Sequence, residues 1–92
     1  MYLVLCYDVV SDARRDRLHR KLKGYLRPVQ KSVFEGHLPD ARYPRLLSMV
    51  DGTIDPTTDT VRVYHLCRGC IGRMDLIGTA EPLPPGDTDV VV

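Results

Sequence analysis

Asp8 closes an apolar stretch, Tyr2–Val10 (YLVLCYDVV). A carboxylate at the end of a buried strand must be hydrogen-bonded, paired or bound to a cation. Two roles follow from its place: a cap at the entry to the next element, shared with Ser11, or a cation ligand. One carboxylate is a meagre site for Mg²⁺, which keeps several waters and still needs charge. A two-fold axis near the strand end would set Asp8 against its copy in a second chain, and a divalent ion would relieve their repulsion. Mg²⁺, or Mn²⁺ in its stead, could then activate a water and stabilise charge on a phosphate. Arg14, Arg15 and Arg17 follow at the opening of a helix. Guanidinium groups grip phosphates in bidentate fashion, and this cluster suits a nucleic-acid backbone rather than base edges. Tyr7 and Phe34 offer rings on which a base could stack, with the hydrophobic core as the competing place for both.

The remaining reactive side chains form no recognisable constellation. Cys67-Arg-Gly-Cys70 is a C-x-x-C, but a structural zinc needs four ligands and only Cys6 and His65 are plausible additions. A thioredoxin-type motif would open a helix after a first strand, not follow a last one. Buried thiols at a strand end are the expectation here. His19, His37 and His65 have no nucleophile or carboxylate at a triad-like spacing, and no Gly-rich phosphate loop is present.

Composition sets the frame for this chemistry. Ninety-two residues make one domain with a thin core, which a second copy would help to cover. No apolar run reaches the roughly 18 residues that span a bilayer. Met1–Cys6 lacks the basic start and cleavage site of a signal peptide, so a cytoplasmic protein with no membrane partner is expected. The net charge of +1 conceals an asymmetry. Residues 1–50 carry 10 basic and 5 acidic side chains (+5), and residues 51–92 carry 3 and 7 (−4). A basic half of this kind suits a polyanion. Three cysteines cannot all pair within one chain, and thiols are expected.

The elements that must position these residues follow in order. Tyr2–Val10 predicts a strand, and its lack of alternation predicts cover on both faces. Ser11 caps a helix that runs to about Leu26, with Leu18, Leu22, Tyr25 and Leu26 at helical spacing. Residues 27–38 read as two short antiparallel strands with a turn near Lys31–Ser32. Asp40 caps a second helix over residues 41–50, with Pro44 in its first turn and Leu46, Leu47 and Val50 as its buried stripe. Thr60–Cys67 is a strand in which Val61, Val63 and His65 alternate with Arg62, Tyr64 and Leu66. A helical turn over residues 68–74, a short extended piece over residues 75–79 and a Pro-rich tail complete the chain. The domain is thus expected over residues 1–79 and the tail over residues 80–92.

This order, β-α-β-β-α-β with a short extra C-terminal strand, is the ferredoxin-like α+β pattern. It places both helices on one face of the sheet. A first strand that wants cover on both faces then calls for a second subunit on the open face, and a symmetric homodimer follows.

The residues that carry these features resemble the CRISPR-associated Cas2 family, over about residues 1–78. The likeness lies in Tyr7-Asp8 after an apolar strand, and in Asp12, Arg14-Arg15 and Arg17 at the helix opening. It continues in Val29-Gln30-Lys31-Ser32-Val33-Phe34-Glu35-Gly36, in Asp59 with Val61-Arg62-Val63-Tyr64, and in Leu66-Cys67 and Cys70. The resemblance implies a ferredoxin-like homodimer whose last short strand pairs onto the other subunit. It implies metal-dependent endonuclease activity on single-stranded RNA or duplex DNA, with the family's metal aspartate at Asp8. Arg15, Arg17 and Phe34 match positions tied to activity or substrate contact. It also implies spacer acquisition in CRISPR adaptation, the dimer bridging copies of an integrase subunit. A scaffold that holds duplex DNA without cutting it is the alternative. One departure is plain: Pro28 stands where an Arg commonly precedes the Val-Gln pair, so the family's role does not pass to Arg27.

Overall fold

The computed structural model describes residues 1–78. Its elements are β1 (Tyr2–Asp8), α1 (Asp12–Leu22), β2 (Arg27–Gln30), β3 (Val33–His37), a 3-10 turn (Asp40–Arg42), α2 (Tyr43–Thr53), β4 (Thr60–Leu66) and α3 (Arg68–Ile71). The four strands form one antiparallel sheet in the order β2-β3-β1-β4. That is the ferredoxin-like arrangement, and the fold class is as expected. Among the described residues no helix is long and apolar enough to cross a membrane. The tail after Thr79 lies outside the described residues, as does Thr79 itself.

The register sorts the sheet into two faces. Leu5 lies opposite Phe34 and Val63, and Leu3 opposite Gly36 and His65. These side chains face the helices, where Leu18 and Leu22 of α1 and Leu46 and Val50 of α2 meet Leu3, Leu5, Tyr7, Val9, Phe34 and Leu38 in one core. Val4, Cys6 and Asp8 occupy the other face, opposite Glu35 and Tyr64, Val33 and Arg62, and Thr60. Val4 and Cys6 are half-buried there, and Tyr64 and Arg62 are exposed. Within a single chain, then, the helices cover one face of β1, and for most of the strand's length the other face is open. Tyr2 is the exception: it is buried, its hydroxyl donates to Glu35, and its ring stands edge-on to His37 at 4.7 Å.

Local chemistry explains where the elements end. The Ser11 hydroxyl accepts the Arg14 N–H at 3.3 Å, which caps α1 as expected. The helix stops at Leu22 rather than Leu26, because the chain tightens at Gly24, whose N–H bonds the Lys21 carbonyl at 3.1 Å. Tyr25 and Leu26 still pack inward from that turn. Asp40 opens a 3-10 turn and α2 proper begins at Tyr43, with Pro44 in its first turn where a missing N–H costs little. The buried positions of α2 are Leu46, Val50 and Thr53, at i, i+4 and i+7, and Leu47 is exposed.

The turn at Lys31–Ser32 joins β2 to β3 as expected. Pro28 is tolerated because β2 is an edge strand, and the pairing slips between Pro28 and Gln30. The helical turn after β4 is shorter than expected, ending at Ile71. The short extra strand is not formed within this single chain over residues 74–78.

Candidate active site at the end of β1

β1 outruns its hairpin neighbour. Pairing with β3 ends at Cys6 opposite Val33, and the Tyr7 N–H then bonds the Ser32 carbonyl at 3.1 Å. Beyond this point only β4 flanks the strand, with Asp8 opposite Thr60. The result is a cleft of about 290 Å³ between the strand end, the first turn of α1 and the hairpin tip. It is lined by Tyr7, Asp8, Val9, Arg15, Lys31 and Ser32.

Asp8 is exposed, not desolvated as its place in the sequence suggested. The alternation of β1 turns it to the open face, past the last half-buried residue, Cys6. No described residue donates a hydrogen bond or an ion pair to its carboxylate, so the capping role falls to Ser11 alone. An acceptor-only group with free lone pairs is what a hard cation or a bound water can use. Among the described residues no three His, Cys, Asp or Glu side chains come together as a metal site. One chain therefore offers one carboxylate, which fits a Mg²⁺ that retains waters and takes further ligands from substrate or a second copy.

The three arginines, alike in sequence, separate in space. Arg14 is engaged by a carboxylate: its Nε donates to Asp59 Oδ2 at 2.9 Å and its Nη2 to Asp59 Oδ1 at 3.2 Å. The Asp59 side chain is fully buried and also accepts the N–H groups of Val10 (3.0 Å) and Asp55 (2.8 Å). The Arg14 guanidinium, ahead of those amides, holds the Asp59 carboxyl well below the usual carboxylate range. This latch fastens the start of α1 to the loop before β4 and gives Arg14 a structural ion pair in place of a free guanidinium. Arg15 lines the cleft, braced by Asp12 at 2.8 Å and by the Val9 carbonyl at 3.3 Å, with its side chain 36% exposed. Arg17 is exposed and has no partner among the described residues.

The aromatic pair is likewise resolved. Phe34 is fully buried, edge-on to His19 at 5.0 Å and 6.3 Å from the Tyr7 ring. The ring is part of the core, the competing place that the sequence left open for it. Tyr7 is only 6% exposed, and its ring belongs to the same core. Its hydroxyl donates to the Lys31 carbonyl at 3.0 Å, contacts His19 Nδ1 at 3.2 Å and reaches the cleft wall. Burial pushes this phenol up from its ordinary value, so it stays protonated. Lys31 and Ser32 are cleft residues that the sequence reading did not select. The turn it placed there was the available signal, since a hairpin tip beside β1 must end near the strand's last residue.

A family described as CRISPR associated protein Cas2 matches residues 1–74. The CRISPR-associated endoribonuclease Cas2 1 of Chloroflexus aurantiacus is 32% identical over 93 residues, covering all of this chain and 99% of that protein. The crystal structure of Streptococcus pyogenes Cas2 at pH 6.5 superposes with a TM-score of 0.74 at 26% identity, over 85% of this chain and all of the other. A chain of a partial Cas6-RT-Cas1–Cas2 complex gives a TM-score of 0.73 at 26% identity, over 99% of this chain and 98% of the other.

Proposed function

The chain belongs to the CRISPR-associated Cas2 family, and from that premise we propose that it is a metal-dependent endonuclease of CRISPR adaptation. Its substrate is a phosphodiester backbone, single-stranded RNA in the first instance, in keeping with the endoribonuclease name of the Chloroflexus relative. Duplex DNA is the second substrate to be tested. The observation that supports the reading is the Asp8 carboxylate, exposed and unengaged by any described residue at the rim of a cleft that also holds Arg15 and Lys31. Asp8 would hold Mg²⁺, which supplies an activated water and charge stabilisation at phosphorus. Arg15 is already oriented by Asp12 and the Val9 carbonyl, so it meets a phosphate oxygen with little further loss of side-chain freedom. Lys31, also in the lining, adds a second positive charge. Arg17 holds the flanking backbone outside the cleft. Tyr7 keeps the hairpin tip in register with the strand end and transfers no proton.

The chain works as a homodimer in this reading, because the open face carries half-buried Val4, Cys6 and Val33 beside exposed Tyr64. Its likeness to a chain of a Cas1–Cas2 assembly supports a role beside an integrase subunit, where holding DNA would not require cutting. Cleavage of labelled single-stranded RNA and duplex DNA, with Mg²⁺ and with EDTA, tests the enzyme. Asp8→Ala is expected to lose metal-dependent cleavage with its folding unchanged, since no fold contact is removed. A folded Asp8→Ala variant that cuts as fast as wild type would sink the assignment.

A further inference from the structure

The C-x-x-C after β4 is not the pair of buried thiols that the sequence suggested. Cys67 and Cys70 are both exposed, and neither is in a disulfide. Their sulfurs lie 3.4 Å apart across the single turn of α3, and Cys67 Sγ also accepts the Cys70 N–H at 3.4 Å. Closing that gap to the bond length of about 2.0 Å is asked of two side chains on a single turn, Cys67 at its N-cap and Cys70 within it. Gly69, between them, does not crowd the pair: even a methyl group on its Cα would stand 3.8 Å from the Cys67 sulfur, an ordinary contact. No third metal-ligating side chain joins the pair among the described residues. Cys6, the third thiol, is half-buried on β1.

We propose that Cys67 and Cys70 form a reversible dithiol–disulfide couple, a redox site separate from the cleft at Asp8. The partner is a small disulfide of the glutathione class. The Cys67 thiolate attacks one sulfur of that disulfide, forming a mixed disulfide and releasing one thiolate. The Cys70 thiol then loses its proton to solvent, and the resulting thiolate attacks Cys67 Sγ and releases the second. Two protein thiols are oxidised to one disulfide, and one small disulfide is reduced to two thiols. The division of labour matches the surroundings of each sulfur. The Cys70 N–H, and then its thiol, hold Cys67 below the ordinary thiol value, while contact with Cys67 pushes Cys70 up. The bond would fix the turn from which the exposed side chains Met74, Leu76 and Ile77 depart.

The test equilibrates the full chain with mixtures of reduced and oxidised glutathione, alkylates the remaining thiols with iodoacetamide and maps them by peptide mass. Cys67 and Cys70 are expected to vanish from alkylation together, with loss of two hydrogens and no glutathione retained, while Cys6 stays alkylated. Cys70→Ser is expected to stop at a glutathione adduct on Cys67. Independent glutathione adducts on both cysteines of the wild type would overturn the proposal. So would a disulfide to Cys6 or to a second chain, or a pair still fully alkylated where the Cys70→Ser adduct has formed.

Discussion

Replacing Phe34 separates two roles that the same position can hold. Its ring is fully buried between Tyr7 and His19, opposite Leu5 across the sheet. Truncation to Ala removes that buried surface and leaves a cavity, at a cost of about 3–5 kcal/mol. A folded chain of this size has only about 5–14 kcal/mol in total, at roughly 0.05–0.15 kcal/mol per residue. Phe34→Ala is therefore expected to lower the urea midpoint by about 2–3 M, taking a slope near 1.5 kcal/mol/M. Phe34→Leu keeps most of the volume and gives up the two ring contacts, about 1–2 kcal/mol. It should stay folded at 25 °C and cleave RNA at close to the wild-type rate. Both midpoints must be read at one chain concentration, because association shifts apparent stability. A Phe34→Leu protein with a near-native midpoint and abolished cleavage would refute the core assignment and return Phe34 to the substrate.

Other outcomes follow from the two arginines and the latch. Arg17→Ala is expected to leave the melting temperature unchanged and to weaken binding to RNA or DNA of any sequence, lowering the salt slope by about one. Arg14→Ala should do the reverse first, lowering the melting temperature, because it strands the buried Asp59 carboxylate; equal melting temperatures for the two variants would count against the latch. Asp59 also dictates a pH dependence. Its folded pKa lies below its unfolded value of about 3.9, so the unfolded chain binds the proton first. The stability it contributes is present above that unfolded value and is lost as pH falls below it. Thermal melts from pH 5 to pH 2 should therefore drop less steeply for Asp59→Asn than for wild type, and parallel curves would contradict the linkage.

The sequence reached the sheet, the two helices and the hairpin turn because each is written locally. Apolar runs with β-branched residues make the strands, Ser11 caps α1, and a short polar interval separates Gln30 from Val33. The site was legible only in part, because its sorting is non-local. Arg14 and Arg17 differ by one helical turn and read alike, but only Arg14 points at Asp59, 45 residues away. Phe34 lies between Val33 and Glu35, and nothing in that triplet says which face looks at the helices. The answer comes from its register with Leu5. β1 hid its faces for a related reason: Leu3, Leu5 and Tyr7 alternate with Tyr2, Val4 and Cys6, all apolar enough for either side. The exposure of Cys67 and Cys70 depends on where the chain turns after β4, which a C-x-x-C spacing does not encode.

A single chain that supplies one carboxylate raises the question of whether the ion belongs to a chain or to a pair. The two cases differ when wild type is mixed with Asp8→Ala and the subunits are allowed to exchange. If each Asp8 works alone, activity falls in proportion to the wild-type fraction. If two copies share the ion, only wild-type homodimers cut, and activity falls with the square of that fraction. An equal mixture then retains roughly a quarter of the wild-type rate rather than roughly a half, provided the two chains associate at random. Random exchange is itself checked by tagging one chain and weighing the mixed dimer. The shared site is the expected one, because a second carboxylate would add charge that one carboxylate and waters do not supply before substrate arrives. Linear dilution in a demonstrably exchanged mixture would place the whole site in one chain, with the remaining ligands drawn from the substrate phosphate.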